Sequence, residues 1–426
     1  MRLTDGEKAM LDGKEGPGRQ RAMELLVRYC KALGADRLVD TNNVATAINA
    51  TSPHQREWAA RGDFDGVFSE FNIDSPDRFV MPPLKAFTCH LIGAMDVANA
   101  KVQGVPENLL ALQKQSEAFF GPRGIQLTQT CTPYQVGIVP VKGEHCAWME
   151  SSAVVYCNSV LGGRTNTEGT ESTGAAALTG KIPYWGYHIT ENRFGTHLIR
   201  VECEVDSMMD WGLLGYFVGE AVEEDIPVID RAGRVPNMAR LKHFGAAAAS
   251  SGGVEMYHIP GVTAEAATID EAFGPRRRPE VIKYGPAERR AVFEDLNSEA
   301  HDRDVDFVML GCPHESIEQV WEVAKLLDGK KLSPNTELWV HTPRAIREIA
   351  DRNGYTKMIE DAGAHLMSDT CPAISHYVPK GTKVVASDSA KQSHYLPAIL
   401  GVQCWFGSME DCVNAAVTGR WNGTLS

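Results

Sequence analysis

Residues 305–327 read VDFVMLGCPHESIEQVWEVAKLL, a short apolar run, a turn and then a helical pattern. The run Asp306–Leu310 has the length and composition of a buried strand, and apolar residues recur at helical spacing after the turn. The same alternation continues, with strands predicted at 336–341, 364–369 and 383–387 and helices at 315–327, 343–353 and 355–362. Such alternation predicts an α/β fold in which helices cover a parallel sheet.

Three of the ten cysteines lie in turns marked by glycine, proline or threonine. Cys312 follows the strand just quoted, Cys371 follows the apolar run 364–367, and Cys131 lies far upstream in Gln-Thr-Cys-Thr-Pro-Tyr. Ligands gather at the carboxyl ends of parallel strands, so these thiols are candidates for one metal site. Thiolates suit zinc or iron–sulfur clusters. Buried apolar thiols are the alternative that spacing alone leaves open.

Composition limits the class of protein. At 426 residues the chain has room for two or three domains, and 43% hydrophobic with 23% charged residues is ordinary for a soluble globular protein. A formal net charge of −13 argues against a nucleic-acid-binding surface, and the one basic run, Arg276-Arg277-Arg278, is expected to be a solvated loop. We find no membrane span and no signal peptide, and the cysteine pattern is unlike a disulfide scaffold, so a cytoplasmic location is expected.

Outside the final portion the pattern is weaker. Residues 40–80 are predicted to be loops with short strands, and 170–205 a patch of glycines and aromatics before a strand. A helix is predicted from His145 to Val160, ending near Gly162-Gly163. The section 265–304 is predicted to be a linker with a helix at 287–296.

Two polar stretches could bind an anion. Ser151 and Ser152 lie inside the apolar helix and need partners for their hydroxyls, while the loop after it offers an arginine fork that can pair with a carboxylate or phosphate. The candidate ligands on this stretch are Asn158, Ser159, Arg164, Thr165 and Asn166. Ser389-Ala390-Lys391 begins a helix, where free N–H groups and Lys391 could hold an anion. The alternatives are ordinary helix caps, a surface loop and a solvated lysine.

Other motifs are missing or isolated. No Cys-x-x-Cys occurs, so a closed structural zinc site is not expected. No Gly-x-Gly-x-x-Gly, Walker loop or Gly-x-Ser-x-Gly occurs, so nucleotide binding and a serine hydrolase have no support. His314, two residues after Cys312, could form a hydrogen bond to a metal ligand without binding the metal itself.

Taken in order along nearly the whole chain, these motifs resemble the X type of the aconitase superfamily. The matching segments are Leu3-Thr4 to Leu11-Asp12-Gly13, Cys131-Thr132-Pro133-Tyr134, Glu150 to Tyr156, Asn158 to Gly162, Arg164-Thr165-Asn166, Glu191-Asn192-Arg193, Leu310 to His314, Asp369-Thr370-Cys371 and Ser389-Ala390-Lys391.

The resemblance implies an α/β, aconitase-like three-domain architecture with parallel βαβ sheets. We divide the chain into an N-terminal α/β region (1–130), a central aconitase-like region (131–300) and a C-terminal βαβ domain (301–426). The resemblance also implies an iron–sulfur cluster, [2Fe-2S] or [4Fe-4S], on Cys131, Cys312 and Cys371. One iron would act as Lewis acid in the dehydration of a small hydroxy acid. Ser151, Ser152 and Lys391 would be catalytic, and the five residues from Asn158 to Asn166 would bind substrate.

Fused family members continue into a small swivelling domain that supplies a serine base, whereas this sequence stops at Ser426. A separate small subunit is therefore the expected partner. Of the known family activities we favour dehydration of cis-3-hydroxy-L-proline to 1-pyrroline-2-carboxylate, with mevalonate 5-phosphate dehydration as the alternative.

One segment departs from the family pattern. Where members have a serine- and histidine-bearing segment, this chain has Asp40-Thr41-Asn42-Asn43-Val44-Ala45-Thr46. The departure leaves the substrate open and motivates a second hypothesis, a cluster-bearing regulatory or binding protein without turnover. A third hypothesis is a mononuclear metal centre on the same three thiolates.

Overall fold

The computed structural model describes residues 1–48, 53–231, 233–276, 279 and 281–425. Within this part of the chain, three parallel sheets are each covered by helices, so the predicted α/β class is confirmed. Arg277, Arg278 and Ser426, on which two expectations rested, lie outside the described residues. None of the described helices is both long enough and apolar enough to cross a membrane.

The C-terminal region folds as the alternation predicts. Its strands lie in the order β12-β11-β10-β13-β14 and are all parallel. Both faces carry buried apolar residues, as expected of a sheet covered on both sides. The elements are β10 Phe307–Leu310, α13 Ile317–Leu327, β11 Glu337–Thr342, α14 Arg344–Arg352, α15 Tyr355–Ala362, β12 His365–Ser368, α16 Pro372–Ser375, β13 Val384–Ser387, α17 Ala390–Leu400, β14 Gln403–Phe406 and α18 Met409–Thr418.

The N-terminal region contains a parallel sheet in the order β4-β3-β2-β5 and a small antiparallel pair, β1 with β6. Helices α2, α4 and α8 contribute to its core. The elements are α1 Asp5–Leu11, α2 Pro17–Leu33, β1 Leu38–Asp40, β2 Asn43–Thr46, α3 Pro53–Ala60, α4 Phe64–Ile73, β3 Phe87–His90, α5 Ala100–Gln103, α6 Glu107–Phe120, β4 Ile125–Gln126, β5 Ala147–Trp148, α7 Ser151–Tyr156, α8 Thr170–Thr179 and β6 Lys181–Pro183.

The middle region has three parallel strands in the order β8-β7-β9. Its core is continuous with the segment around α7, because Val154 and Val155 belong to the same buried cluster as Phe244 and Tyr257. The elements are β7 His197–Val201, α9 Met208–Val222, β8 Pro227–Asp230, α10 Met238–Ser251, α11 Ile269–Phe273, β9 Val281–Tyr284 and α12 Pro286–Leu296.

Several local predictions were wrong. Residues 40–80 contain α3 and α4, since the apolar spacing of Phe64, Val67 and Phe68 prevails over the surrounding turn formers. Helix α8 was missed because it is buried on nearly every side and carries no amphipathic period. The section 265–304 contains the predicted helix, as α12, but the part predicted to be a linker also contributes β9, which pairs with β7.

The helix predicted from His145 starts later than expected. Ala147–Trp148 pairs with β2 instead, so the helix begins only at Ser151. It continues through a π-helical turn, Cys157–Leu161, and ends at Gly162, whose φ of 74° is left-handed as the double glycine predicts.

Buried Asp96 ties the N-terminal region to the carboxyl edge of the C-terminal sheet. Its Oδ2 accepts a hydrogen bond from the Ser368 main chain at 2.9 Å, and its Oδ1 lies 3.3 Å from Arg344. Nearby, Gln103 donates to the Thr370 hydroxyl at 2.8 Å. These bonds fix the two regions against each other next to the turn that carries Cys371.

Helices α9 and α10 pack closely enough to require glycine where their main chains meet, and Gly215 is one such position. A Cβ on Gly215 would lie 2.3 Å from the Phe244 carbonyl oxygen, which is main chain and cannot swing away. We expect Gly215→Ala to lower the free energy of unfolding by about 1–3 kcal/mol, because the helices must separate. Chemical denaturation measures the change.

Gly212 in the same helix is the matched control. A Cβ there would meet its nearest neighbour at 3.7 Å, an ordinary contact. Gly212→Ala is expected to leave stability unchanged or raise it by about 0.5–1 kcal/mol, since alanine favours the helix. Equal effects of the two substitutions would contradict this account of the packing.

Candidate functional site

The structure brings the three turn-borne cysteines together. Cys312 follows β10 and Cys371 follows β12 at the same edge of the C-terminal sheet, while Cys131 arrives on the loop after β4. Cys131, Cys312 and Cys371 are 8%, 6% and 7% exposed and belong to one buried cluster. Among the described residues, no group of three or more His, Cys, Asp or Glu side chains is arranged to hold a single metal ion, and this includes the three cysteines.

The turn before Cys312 requires glycine. Gly311 has a φ of 99°, and a Cβ there would lie 2.2 Å from the His341 carbonyl oxygen. Since only glycine combines a left-handed backbone with this close approach, Gly311 lets the chain leave β10 abruptly and bring Cys312 to the sheet edge.

Two of the three sulfurs accept hydrogen bonds from N–H groups. The main-chain N–H of His314 donates to Cys131 Sγ at 3.3 Å, and the Gln392 amide donates to Cys371 Sγ at 3.4 Å. Burial nevertheless raises the pKa of all three thiols, that of Cys312 to about 12. The thiols are therefore protonated when nothing is bound, and binding a metal there must release protons.

A lysine–glutamate pair faces the thiols. Lys391, at the start of α17, donates to Glu150 Oε1 at 2.8 Å and to the Ser151 hydroxyl at 3.3 Å. Ser152 donates to the same Glu150 oxygen at 3.0 Å. Ser151, Ser152 and Lys391, predicted to be catalytic, thus lie together around a residue that the sequence analysis did not single out.

The pair is charged despite its burial. Burial alone would lower the pKa of Lys391, but the carboxylate of Glu150 raises it overall. Burial would raise the pKa of Glu150, but Lys391 lowers it below its ordinary range. The sequence analysis gave no signal for Glu150, because a helix predicted from His145 puts this residue in its interior. The structure places it directly before the helix N-terminus, where a carboxylate is favoured.

The five predicted substrate ligands bind protein groups. Asn158 bonds the Thr165 main chain in both directions, at 2.8 and 3.0 Å. Arg164 donates to the His188 carbonyl at 2.8 Å and to the Thr190 hydroxyl at 3.0 Å. The other three side chains each accept a main-chain N–H, Ser159 from Tyr257 (2.9 Å), Thr165 from Trp148 (3.0 Å) and Asn166 from Tyr187 (2.9 Å). These bonds brace the loop, and a role in substrate binding stays a prediction.

The divergent segment 40–46 runs along the N-terminal sheet, from before the amino end of β2 to its carboxyl end. Asp40, Thr41 and Asn42 precede β2 and line a cavity of about 590 Å³ with Glu7 and His145, among others. Glu150 follows β5 at the carboxyl edge, which is the opposite edge because β2 and β5 are parallel. The altered residues 40–42 therefore lie away from the three thiols.

The chain matches models of three successive aconitase X domains, the first over residues 1–191, the second over 195–294 and the third over 305–418. A phosphomevalonate dehydratase large subunit from Methanocaldococcus jannaschii is 36% identical over 417 residues, covering 96% of this chain and 99% of that protein. A cis-3-hydroxy-L-proline dehydratase from Hypocrea jecorina is 32% identical over 427 residues, covering 99% and 69%. The holo-form crystal structure of aconitase X from Thermococcus kodakaraensis superposes with a TM-score of 0.82 at 30% identity, covering 98% of this chain and 100% of that one.

The chain belongs to the aconitase X family, and the expected three-domain architecture is confirmed. Because relatives matched over nearly its whole length are dehydratases, the protein is a hydro-lyase of that family. The matched segments meet near residues 191–195 and 294–305. Boundaries at 130 and 300 stay a prediction.

Glu168, at the end of the braced loop, gives the fold a pH dependence. Glu168 is 3% exposed, and Ser172 donates to its Oε2 at 2.7 Å. Burial raises the pKa of Glu168 to about 7. The folded protein therefore keeps a proton that the unfolded chain releases near pH 4.

The contribution of protonated Glu168 to the free energy of unfolding is complete below about pH 4. It is lost as the pH rises through 7, and the loss is on the order of 3 kcal/mol at most. We expect Glu168→Gln to flatten the fall in melting temperature between pH 5 and pH 8. Thermal unfolding of both proteins across this range measures it. Parallel curves would show that Glu168 is already ionised at pH 5.

Proposed function

We propose that this chain is the large, catalytic subunit of an iron–sulfur-dependent dehydratase of a small hydroxy acid. Cys131, Cys312 and Cys371 are the proposed cluster ligands. The observation that carries the proposal is the convergence of three buried thiols, drawn from separate turns, opposite the Lys391–Glu150 pair.

The donor set fits such a cluster. Thiolates are the usual ligands of iron–sulfur centres, and N–H groups that point at the sulfurs stabilise their negative charge. His314 does not act as a fourth ligand, since Thr130 and Thr370 occupy both ring nitrogens. A cluster held by three thiolates supplies an iron that can polarise the leaving hydroxyl of the substrate.

Lys391 and Glu150 give the chain its own part in the reaction. Lys391 can bind the carboxylate of the substrate, and Glu150, kept ionised by Lys391, can accept a proton or bind a substrate ammonium. Ser151 and Ser152 hold this pair in place through hydroxyl bonds. The low exposure of Lys391, whose side chain is 14% exposed, keeps these charges away from bulk water.

A separate small subunit is the proposed partner. The Methanocaldococcus large subunit matches this chain end to end, whereas the Hypocrea dehydratase has about a third of its length outside the match. The small subunit would complete the pocket.

The proposed substrate is cis-3-hydroxy-L-proline, with 1-pyrroline-2-carboxylate as product. One lysine that is already paired with a glutamate suits an amino acid, because a substrate carboxylate would bind Lys391 while the substrate ammonium would bind Glu150. A phosphate carries about two charges near neutral pH and favours a site with several cations. Mevalonate 5-phosphate is the second candidate, favoured by the 36% identity to a phosphomevalonate dehydratase large subunit of equal length.

Turnover by the complex of both subunits tests the proposal. After anaerobic reconstitution, we expect the complex to consume cis-3-hydroxy-L-proline and form 1-pyrroline-2-carboxylate, followed by mass spectrometry, while the large chain alone is inactive. Mevalonate 5-phosphate is assayed in parallel, and turnover of that compound alone would reverse the substrate assignment. Absence of any dehydration by a complex with an intact cluster would refute the enzyme proposal.

Lys391→Met tests the ion pair. Loss of the ammonium removes the charge that binds the substrate and keeps Glu150 ionised, so we expect kcat/KM to fall about 100-fold or more with iron and sulfide content unchanged. Lys383→Met, which changes an exposed lysine of the same region, is the matched control and should behave as wild type. A wild-type rate for Lys391→Met would remove Lys391 from the mechanism.

A further inference from the structure

His314 contacts all three cysteine turns. Its ring Nδ1 lies 2.9 Å from the hydroxyl of Thr130, the residue before Cys131. Its Nε2 lies 3.0 Å from the carbonyl oxygen of Thr370, the residue before Cys371. His314 itself follows Cys312 by two residues, and its side chain is completely buried.

The partners determine the tautomer of the ring. A carbonyl oxygen only accepts, so Nε2 carries the hydrogen and donates it to Thr370. Nδ1 is then an acceptor, and the Thr130 hydroxyl donates to it. Thr130 in turn accepts the main-chain N–H of Thr132 at 3.1 Å, which fixes the far side of Cys131.

Lys242 holds the main chain of His314 from the middle region. Its ammonium donates to the His314 carbonyl at 2.6 Å, to the Pro313 carbonyl at 3.2 Å and to the Gln319 side chain at 2.7 Å. The Lys242 side chain is 2% exposed. Groups from all three regions of the chain therefore meet at His314.

The ligand set needs such a brace. In a Cys-x-x-Cys ligand pair the local backbone sets the distance between sulfurs, but Cys131, Cys312 and Cys371 are far apart in sequence. Their spacing depends on tertiary contacts alone. A histidine that merely fills the core has no reason to bond the residues that directly precede two of the cysteines.

We propose that His314 is a positioning residue that holds the three cysteine turns at the spacing the cluster requires before iron and sulfide bind. It acts through Thr130 and Thr370 and does not ligate iron. This inference rests on the proposed iron–sulfur centre, but its effect on the cysteine turns is present in the protein without a cluster.

Three substitutions test the ring bonds separately. His314→Leu removes both bonds, His314→Asn keeps an acceptor within reach of Thr130, and His314→Gln keeps a donor within reach of Thr370. His258→Leu is the matched control, because His258 is 2% exposed and bonds one carbonyl, that of Arg193 at 2.8 Å, away from the cysteines.

The first readout is the cluster. After anaerobic reconstitution, we expect His314→Leu to bind less than half the iron and sulfide of the wild type and to lose its visible absorption in air at least tenfold faster. The Asn and Gln variants should recover part of both properties. His258→Leu should keep the wild-type iron content and spectrum even where its melting temperature falls.

The second readout is alkylation of the cysteines in the cluster-free protein, followed by mass spectrometry. We expect His314→Leu to speed modification of Cys131 and Cys371 at least tenfold, with buried Cys412 as internal reference. If His314→Leu does not fold, the Asn and Gln variants carry the same comparison. Wild-type cluster content and wild-type alkylation rates in the His314 variants would overturn the inference. Failure of the wild type itself to take up iron and sulfide would overturn the proposed centre instead, and the alkylation rates would still decide the role of His314.

Discussion

The structure depends on one constraint, the convergence of three thiols. No local sequence fixes the distances between their sulfurs. Cys131 comes from the loop after a short strand of the N-terminal sheet, and Cys312 and Cys371 come from the edge of the C-terminal sheet. The regions must therefore pack in a single arrangement for the sulfurs to converge. Buried Asp96 and Lys242, which reach across region boundaries to the cysteine turns, supply polar contacts that a purely apolar interface would lack.

The charges near the thiols follow from the same packing. Lys391 and Glu150 approach from different regions and remain ionised only because each offsets the burial of the other. Without Lys391, burial would favour the protonated form of Glu150, so the carboxylate depends on its partner for its charge. The pair also ties the start of α7 to α17 at the site.

Sequence predicts those parts of this protein in which local pattern and tertiary role agree. The C-terminal strands are short apolar runs that end in turns, so both the parallel sheet and the positions of Cys312 and Cys371 follow from the pattern. Helix α8 was missed because burial on nearly every side removes the amphipathic period. Glu150 was missed because its significance depends on Lys391, far along the chain, and Arg164 was chosen for its chemistry although the fold directs it to a carbonyl.

The central claim is that Cys131, Cys312 and Cys371 hold an iron–sulfur cluster with one iron free of protein ligands. Diffraction from anaerobically reconstituted crystals, with anomalous data collected on both sides of the iron absorption edge, tests it most directly. The account predicts an iron signal bounded by these three sulfurs, with one iron that no side chain contacts. A single zinc ion on the three thiols, a fourth protein ligand or iron located elsewhere would contradict it.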